Sequence, residues 1–488
     1  MRQAVVEQAG GRPLDRTRYP SGCRRGRVGR WPGAITILAC TLLWLCDLAV
    51  SSRVASAQVP RIQGQGTAAS AMGNAFSAQA DDPSAIHYNP AGLTNLHGVE
   101  FMGGLLLSGG TTQFTGPTGV TATGDRNGNV AWPPPAHVYL TANVQDLGLT
   151  ALGPLSAGIG VTSPFGSLMR WPADGPFRSA TIFNTLPLLD IKPTVAYGLT
   201  RDLSLGAGVD IYTFSKLVGE GQVERQSIWP GGFGIPAGAR IELSGADTAA
   251  GFNAGLLYTA LRNSDGRPLV NIGFVYRSQA TLHLSGALLA NGTKVSDATA
   301  TLVLPSVITG AVAFWPYRAA SREWKVELNV DRVGWRVVKN LDVHLANGAT
   351  IPQPLNWQNT YAVMVGTEYK WLALETLPAW DVAVRAGYTN QQTQMPDVSF
   401  DPGVPSADVN IVGGGVGFLC RAGGSLFGLI RCGKAGAGSL SMKGIGLDLS
   451  YQASLYEPRT IAGNRNPTVN GTYRTTLHTG GLSLRLLF

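Results

Sequence analysis

Past residue 57 the sequence has no apolar run near the roughly 18 residues a membrane-crossing helix needs. Charged residues make up only 14% of the chain, too few for an ordinary soluble α/β enzyme. Histidine is scarce and scattered, as His87, His97, His137, His283, His344 and His478. There is no HExxH, no GxSxG and no Walker loop, so no nucleophile is paired with a base. No catalytic residue, cofactor or metal is therefore expected, and the chain reads as a non-enzyme. Of five cysteines, Cys23, Cys40 and Cys46 precede residue 58. The remaining two, Cys420 and Cys432, have no flanking His and do not form a zinc signature. In an oxidising compartment they are a disulfide candidate. The net charge of +8 is also misleading. Residues 1–57 hold nine Arg and three acids, which leaves 29 basic and 27 acidic residues, or +2. Nucleic acid is not an expected partner.

Residues 1–57 read as a signal peptide with a long n-region. Arg24, Arg25, Arg27 and Arg30 precede the apolar stretch Ala34–Leu48, and Ala55-Ser56-Ala57 fits a small-x-small cleavage site. The rest is rich in glycine and alternates. Leu203, Leu205, Ala207, Val209 and Ile211 interleave with Ser204, Gly206, Gly208, Asp210 and Tyr212. Val382, Val384, Ala386 and Tyr388 interleave with Asp381, Ala383, Arg385 and Gly387. A period of two is the strand signal, and segments of about ten residues fit a membrane barrel. A soluble sandwich shares that pattern. The export signal, the aromatics Tyr276, Trp324, Tyr388 and Tyr451 at strand ends, and the terminal run Leu482 to Phe488 favour the barrel.

The expected fold is all-β, a 14-stranded antiparallel transmembrane β-barrel. Strands begin near Gly98, Ala136, Leu155, Asp190, Leu203, Ala250, Leu269, Ser306, Glu323, Gln358, Trp380, Val409, Leu440 and Arg474. Long loops are expected at 110–134, 165–189, 215–249, 281–304, 335–356 and 453–473. The Cys420/Cys432 turn then falls at the opposite, short-turn end.

The stretch 58–97 differs. Thr67–Ala80 is mostly Ala and Ser, which favours a thin helix with Met72 and Phe76 on one face. Asp82-Pro83 and Asn89-Pro90 each place an N-cap residue before a proline at the first helical position. The spacing predicts short broken turns, and their position ahead of a long β chain suits a plug. The chain divides into a signal peptide (1–57), an N-terminal helical hatch (58–97) and the barrel (98–488).

Ser77–Leu93, ending Tyr88-Asn89-Pro90-Ala91-Gly92-Leu93, resembles the hatch of the FadL family (OmpP1/FadL/TodX-like), outer-membrane transporters of long-chain fatty acids and other hydrophobic compounds. Gly160–Gly166, Gly251–Tyr258, Val275–Ser278, Leu304–Ser306 and Arg385–Tyr388 are also similar to family segments. The resemblance implies a monomer in the outer membrane of a Gram-negative bacterium. It implies passive uptake of hydrophobic small molecules, most of all fatty acids, with aromatic hydrocarbons as the alternative. A structural or adhesin-like barrel and a barrel-embedded lipid enzyme stand as readings from other classes. Outer-membrane lipid, lipopolysaccharide and the barrel assembly machinery are the implied partners. Asn89, Pro90 and Ala91 take the place of the hatch motif. Pro164, with Phe165 and Gly166, either kinks the third strand and opens the wall sideways or simply begins the next loop. Trp229, Phe233, Ile235, Leu288 and Leu289 either form an outer capture groove or pack on one another. Arg277, Lys325 and Arg385 are candidates for holding a carboxylate in the lumen. With Glu327, Asp331 and Arg485 they could equally form a rigid ion-pair lattice.

Overall fold

The computed structural model describes residues 61–488 except 133, 233, 427 and 434–440. The expected signal peptide lies outside the described residues. Fourteen antiparallel strands form one sheet: β1 Val99–Thr115, β2 Ala136–Asn143, β3 Leu155–Thr162, β4 Leu189–Gly198, β5 Leu203–Thr213, β6 Ala249–Arg262, β7 Pro268–Arg277, β8 Val307–Arg318, β9 Arg322–Val333, β10 Thr360–Trp371, β11 Trp380–Gln391, β12 Val409–Arg421, β13 Gly444–Tyr456 and β14 Gly471–Leu487. The barrel closes where β1 pairs β14, from Glu100↔Leu487 to Thr115↔Thr472. Closure removes every sheet edge, as lipid demands of a spanning β structure.

The alternation resolves with its apolar set outward. Val195, Leu205, Val209, Phe274, Val365, Val384, Val412, Leu449, Leu482 and Leu484 are all exposed. Asp210, Arg277, Lys325, Glu327, Asp331 and Arg385, on the alternate positions, are buried in the lumen. A soluble sandwich would bury the other set. The wall is uneven. β2 and β3 have eight residues each, against seventeen for β1 and β14.

The long loops gather at one end. Their hairpins form a second, eight-stranded sheet running from Gly166–Arg170 at one edge to Thr350–Ile351 at the other. Beneath it lies an apolar cluster that includes Phe114, Phe165, Trp171, Phe177, Trp335, Trp357, Phe400 and Tyr473. Residues 392–408 form a seventh long loop, absent from the six expected. Met395 and Phe400 tie it into this cluster.

The hatch occupies the lumen as short pieces: α1 Thr67–Ala71, α2 Ala85–Tyr88 and a 3₁₀ turn Pro90–Asn95. The continuous helix expected over 67–80 is not formed. The helix ends at Ala71, and the chain turns away at Gly73 and Asn74, which both take positive φ (61° and 65°), a conformation these residues tolerate best. Met72 and Phe76 still meet, in a cluster with Ala69 and Tyr88, through the bend rather than along one helical face. Asn89 caps as expected, accepting from Ala91 N at 3.1 Å with Pro90 first in the turn. Asp82 accepts from Ser84 N at 2.8 Å, and α2 starts two residues beyond Pro83, at Ala85.

Candidate functional site

The lumen is built around the hatch, which sits on glycine. A Cβ at Gly387 would lie 2.0 Å from Met72 C and 2.2 Å from Gly73 N. At Gly366 it would be 2.5 Å from Met72 O, at Gly206 2.4 Å from Pro90 C, and at Gly255 2.2 Å from Asn89 Oδ1. Gly366, Gly387 and Gly413 are direct cross-strand neighbours on β10, β11 and β12. Gly206 and Gly255 are paired on β5 and β6. The wall thus removes its side chains where the plug's backbone passes. This accounts for much of the inward glycine in the alternating strands.

Polar side chains fix the plug on this seat. Asn89 is fully buried, and its Nδ2 donates to Ser77 O (2.8 Å) and to Leu256 O on the wall (3.1 Å). Glu327 accepts from Ala78 N (2.8 Å) and Gln79 N (3.1 Å). Gln452 donates to Ser70 O at 2.8 Å, and Tyr139 to Gln65 O at 2.6 Å. Burial pushes the Asp82 carboxyl up to about 6, against the opposing pull of Arg485 and of the Ser84 hydrogen bond. Burial acts the same way on Asp81, but Lys370 at 3.2 Å and the Gln79 amide outweigh it and hold that carboxyl low.

The three cations expected to hold a substrate carboxylate already have carboxylates. Arg277 pairs with Asp210 at 3.2 Å and donates to His87 O. Lys325 pairs with Glu327 at 3.1 Å. Arg385 pairs with Glu368 and Asp448, each at 2.6 Å. Arg485 pairs with Glu100 at 2.7 Å and Arg61 with Asp331 at 2.5 Å. A buried charge without a partner costs several kcal/mol, so a lumen packed by a plug neutralises its charges internally. These residues form the lattice alternative, and Arg277, Lys325 and Arg485 also reach the hatch through His87 O, the Gln79 side chain and Asp81 O.

The region of Pro164 also differs from a kinked strand. β3 ends at Thr162, and its ladder with β2 stops at the pair Val138↔Val161. The chain then turns inward and pairs with the start of the hatch. Ile62 N donates to Pro164 O at 2.9 Å, Arg61 bridges Phe165, and the Gln65 side chain bonds both Ser163 N and Ser163 O. Pro164 lies beyond the strand rather than within it. Phe165 is buried against Tyr212 and Trp335, and Gly166 starts the edge of the outer sheet. The β2 side meanwhile continues along β1, where Leu106 N donates to Pro135 O and Ala131 N to Ser108 O, each at 2.8 Å. Above Val138↔Val161 the two edges therefore part, with His137 Nε2 and Thr162 Oγ1 buried and without hydrogen-bond partners. A second interruption falls between β4 and β5. There the rungs Lys192–Asp210 and Pro193–Val209 are missing while register holds on both sides, because Pro193 has no N–H to donate.

Of the capture candidates, Phe233 lies outside the described residues. Ile235 and Leu288 are buried in a small core with Ile241, against which Trp229 packs. Leu289 is half-buried. The loops pack on one another here. An open apolar surface lies elsewhere, in a cleft of about 370 Å³. Its lining includes Ile62, Trp132, Phe165, Leu168, Phe183, Val404, Tyr456 and Leu477, so that the hatch entry, the parted β2/β3 edges and the seventh loop all reach it. Trp132 is 72% exposed. Glu220 and Glu224 also line the cleft, as does Arg126. Arg126 donates to Met169 Sδ at 2.6 Å, and among the described residues no carboxylate forms an ion pair with it. Sequence reading missed Arg126 because it stands in a loop without periodicity, beside Asp125. That acid is turned to its own loop, accepting from Gly128 N at 3.0 Å.

Cys420 and Cys432 form a disulfide with Cα atoms 5.8 Å apart. Both are buried, at the short-turn end.

Residues 48–423 match the model of a family described as outer membrane protein transport protein (OMPP1/FadL/TodX). No curated protein sequence matches the chain. Among solved structures, a Pseudomonas aeruginosa FadL homologue aligns with a TM-score of 0.65 at 16% identity, over 88% of this chain and 99% of that one. The Ralstonia pickettii toluene transporter TbuX aligns at 0.55 and 19% identity, and the P. putida toluene transporter TodX at 0.57 and 16%. Each of these covers 88% of this chain and 99% of its own.

Proposed function

Because the chain belongs to the outer membrane protein transport protein family (OMPP1/FadL/TodX), and is thus an outer-membrane transporter of hydrophobic compounds, we propose that its own cargo is an amphiphile with a carboxylate head, a long-chain fatty acid. The long-loop end faces outward. Cargo enters the apolar cleft, meets the hatch at Ile62, and leaves sideways between the parted edges of β2 and β3. The observation that carries this reading is Arg126. A cation in a largely apolar cleft, paired with neither Glu220 nor Glu224 among the described residues, suits an apolar tail ending in an anion. The lattice cations are paired with carboxylates in the lumen and do not line this site. The aromatic lining from Trp132, Phe165, Phe183 and Tyr456 supports a second reading. In that reading the cargo is an uncharged aromatic hydrocarbon, as it is for the toluene transporters TbuX and TodX.

The two readings separate on one substitution. A charge-assisted hydrogen bond contributes about 1.5–3 kcal/mol, so Arg126→Gln should lower oleate uptake roughly tenfold or more. Toluene uptake should stay unchanged in the same cells. Equal loss of both, or of neither, contradicts the fatty-acid reading. Loss of toluene uptake alone in Trp132→Ser cells supports the hydrocarbon reading.

A further inference from the structure

The turn between β12 and β13 is the long one at the short-turn end, and transport as described makes no use of it. The disulfide staples it back onto the barrel, and the strand registers place that staple. Cys420 pairs across strands with Trp380 and Ile445, and Ile445 pairs with Leu486. Two residues along each strand, Phe418, Val382, Leu447 and Leu484 occupy the next row. Phe418 and Leu484 are on the exposed, lipid-facing surface. Side chains alternate with period two, so Cys420, Trp380, Ile445 and Leu486 face the lipid side as well. The stapled hairpin, Ser425–Leu426 paired with Ile430–Arg431, therefore packs against the outside of the barrel. Its disulfide contacts Ile445, and Trp380, Leu426 and Leu486 close around it.

The level of this contact is marked by aromatics. Tyr197, Tyr258, Tyr317 and Trp324 are exposed near the short turns, where membrane barrels carry an aromatic girdle at the interface. Trp380 starts its strand at that end. The hairpin tip is strongly apolar, with Leu429 87% and Ile430 53% exposed. Residues 421–443 contain Arg421, Arg431, Lys434 and Lys443 and no acid. Arg421 is taken by Asp381 at 2.5 Å. Arg431 is exposed, beside Ile430. An exposed apolar tip next to Arg431, which forms no ion pair among the described residues, at girdle level on the lipid side, has the composition of an interfacial anchor.

We propose that the hairpin closed by Cys420 and Cys432 is a foot in the membrane leaflet at the short-turn end, with Leu429 and Ile430 among the acyl chains and Arg431 on the phosphate of an anionic phospholipid. This inference rests on outer-membrane placement alone and is independent of what the channel carries.

The full-length mature barrel tests it in two measurements, with heat-modifiable gel migration as the folding check. In vesicles of phosphatidylethanolamine and phosphatidylglycerol, the added fluorescence of Leu429→Trp over wild type should be quenched by lipids brominated on the acyl chain and shielded from aqueous acrylamide. By native mass spectrometry from detergent, wild type should retain several-fold more phosphatidylglycerol than phosphatidylethanolamine. Arg431→Glu should bring the two to equal retention, and Arg431→Lys should keep the preference. Quenching by acrylamide but not by brominated lipid would overturn the proposal, placing the tip in water where a protein partner would have to cover it. A phosphatidylglycerol preference unchanged in Arg431→Glu would overturn the assignment of the headgroup.

Discussion

Gly387→Leu should unseat the hatch while leaving the barrel standing. Any side chain at 387 meets main chain, with Met72 C at 2.0 Å and Gly73 N at 2.2 Å from the first added carbon. No rotamer relieves such a contact, because Cβ has no freedom of its own. Overpacking of about 3 kcal/mol moves a two-state population roughly a hundredfold. The barrel ladder on both sides of Gly387, to Gly366 and to Gly413, does not depend on the hatch, so the plug is the part that yields. The expected result is normal barrel abundance and heat-modifiable migration, with a strong rise in sensitivity to polar antibiotics that wild type excludes. Gly310→Leu is the matched control, since a Cβ there meets nothing within 4 Å. Equal antibiotic sensitivity in the two variants would mean that the glycine seat does not hold the plug.

Asn89→Ala should act on the same element from the hatch side. Asn89 accepts from Ala91 N and donates to Ser77 O and Leu256 O. Loss of an N-cap alone costs about 1 kcal/mol. Here one N–H and two carbonyls lose their partner in a dry interior, at about 1–3 kcal/mol each before relaxation. That total is comparable with the few kcal/mol separating two arrangements of a gating element and small beside a closed barrel. Uptake of hydrophobic substrate should therefore change several-fold at unchanged barrel abundance. Asn89→Asp, which keeps the acceptor and loses both donors, should fall between wild type and Asn89→Ala. If Asn89→Ala matches Gly310→Leu in uptake and antibiotic sensitivity, the motif is a filler and not part of a gate.

What could be read from the sequence follows from which interactions are local. Strand periodicity is local, so all fourteen strands were legible, their starts falling within about four residues of those observed. The hatch motif was legible because Asn89-Pro90 caps its own turn. The helix over 67–80 failed at Gly73-Asn74, where the chain must bend to lie against Tyr388 of the wall. That is a tertiary requirement which the alanine-rich run does not announce. The lumenal cations were visible as inward charges, but their partners come from other strands and the hatch, as with Arg385 and Asp448, 63 residues apart. Pro164 was visible too. The reason the wall parts is the pairing of residues 163–165 with Arg61, Ile62 and Gln65, about 100 residues earlier. The cleft around Arg126 is assembled from loops without periodicity and left no signal.

On the proposed route, hydrophobic cargo passes the wall where β2 and β3 part. Had the ladder continued, His137 and Thr162 would be the next pair beyond Val138↔Val161. Cysteines placed by His137→Cys and Thr162→Cys can be bridged by a short, reducible thiol crosslinker, while Cys420 and Cys432 are already joined. The decisive measurement is oleate uptake in intact cells before bridging, after bridging and after reduction. Uptake should fall to the level of cells lacking the protein when the bridge is complete and return on reduction. Full uptake with the bridge quantitatively in place would contradict it.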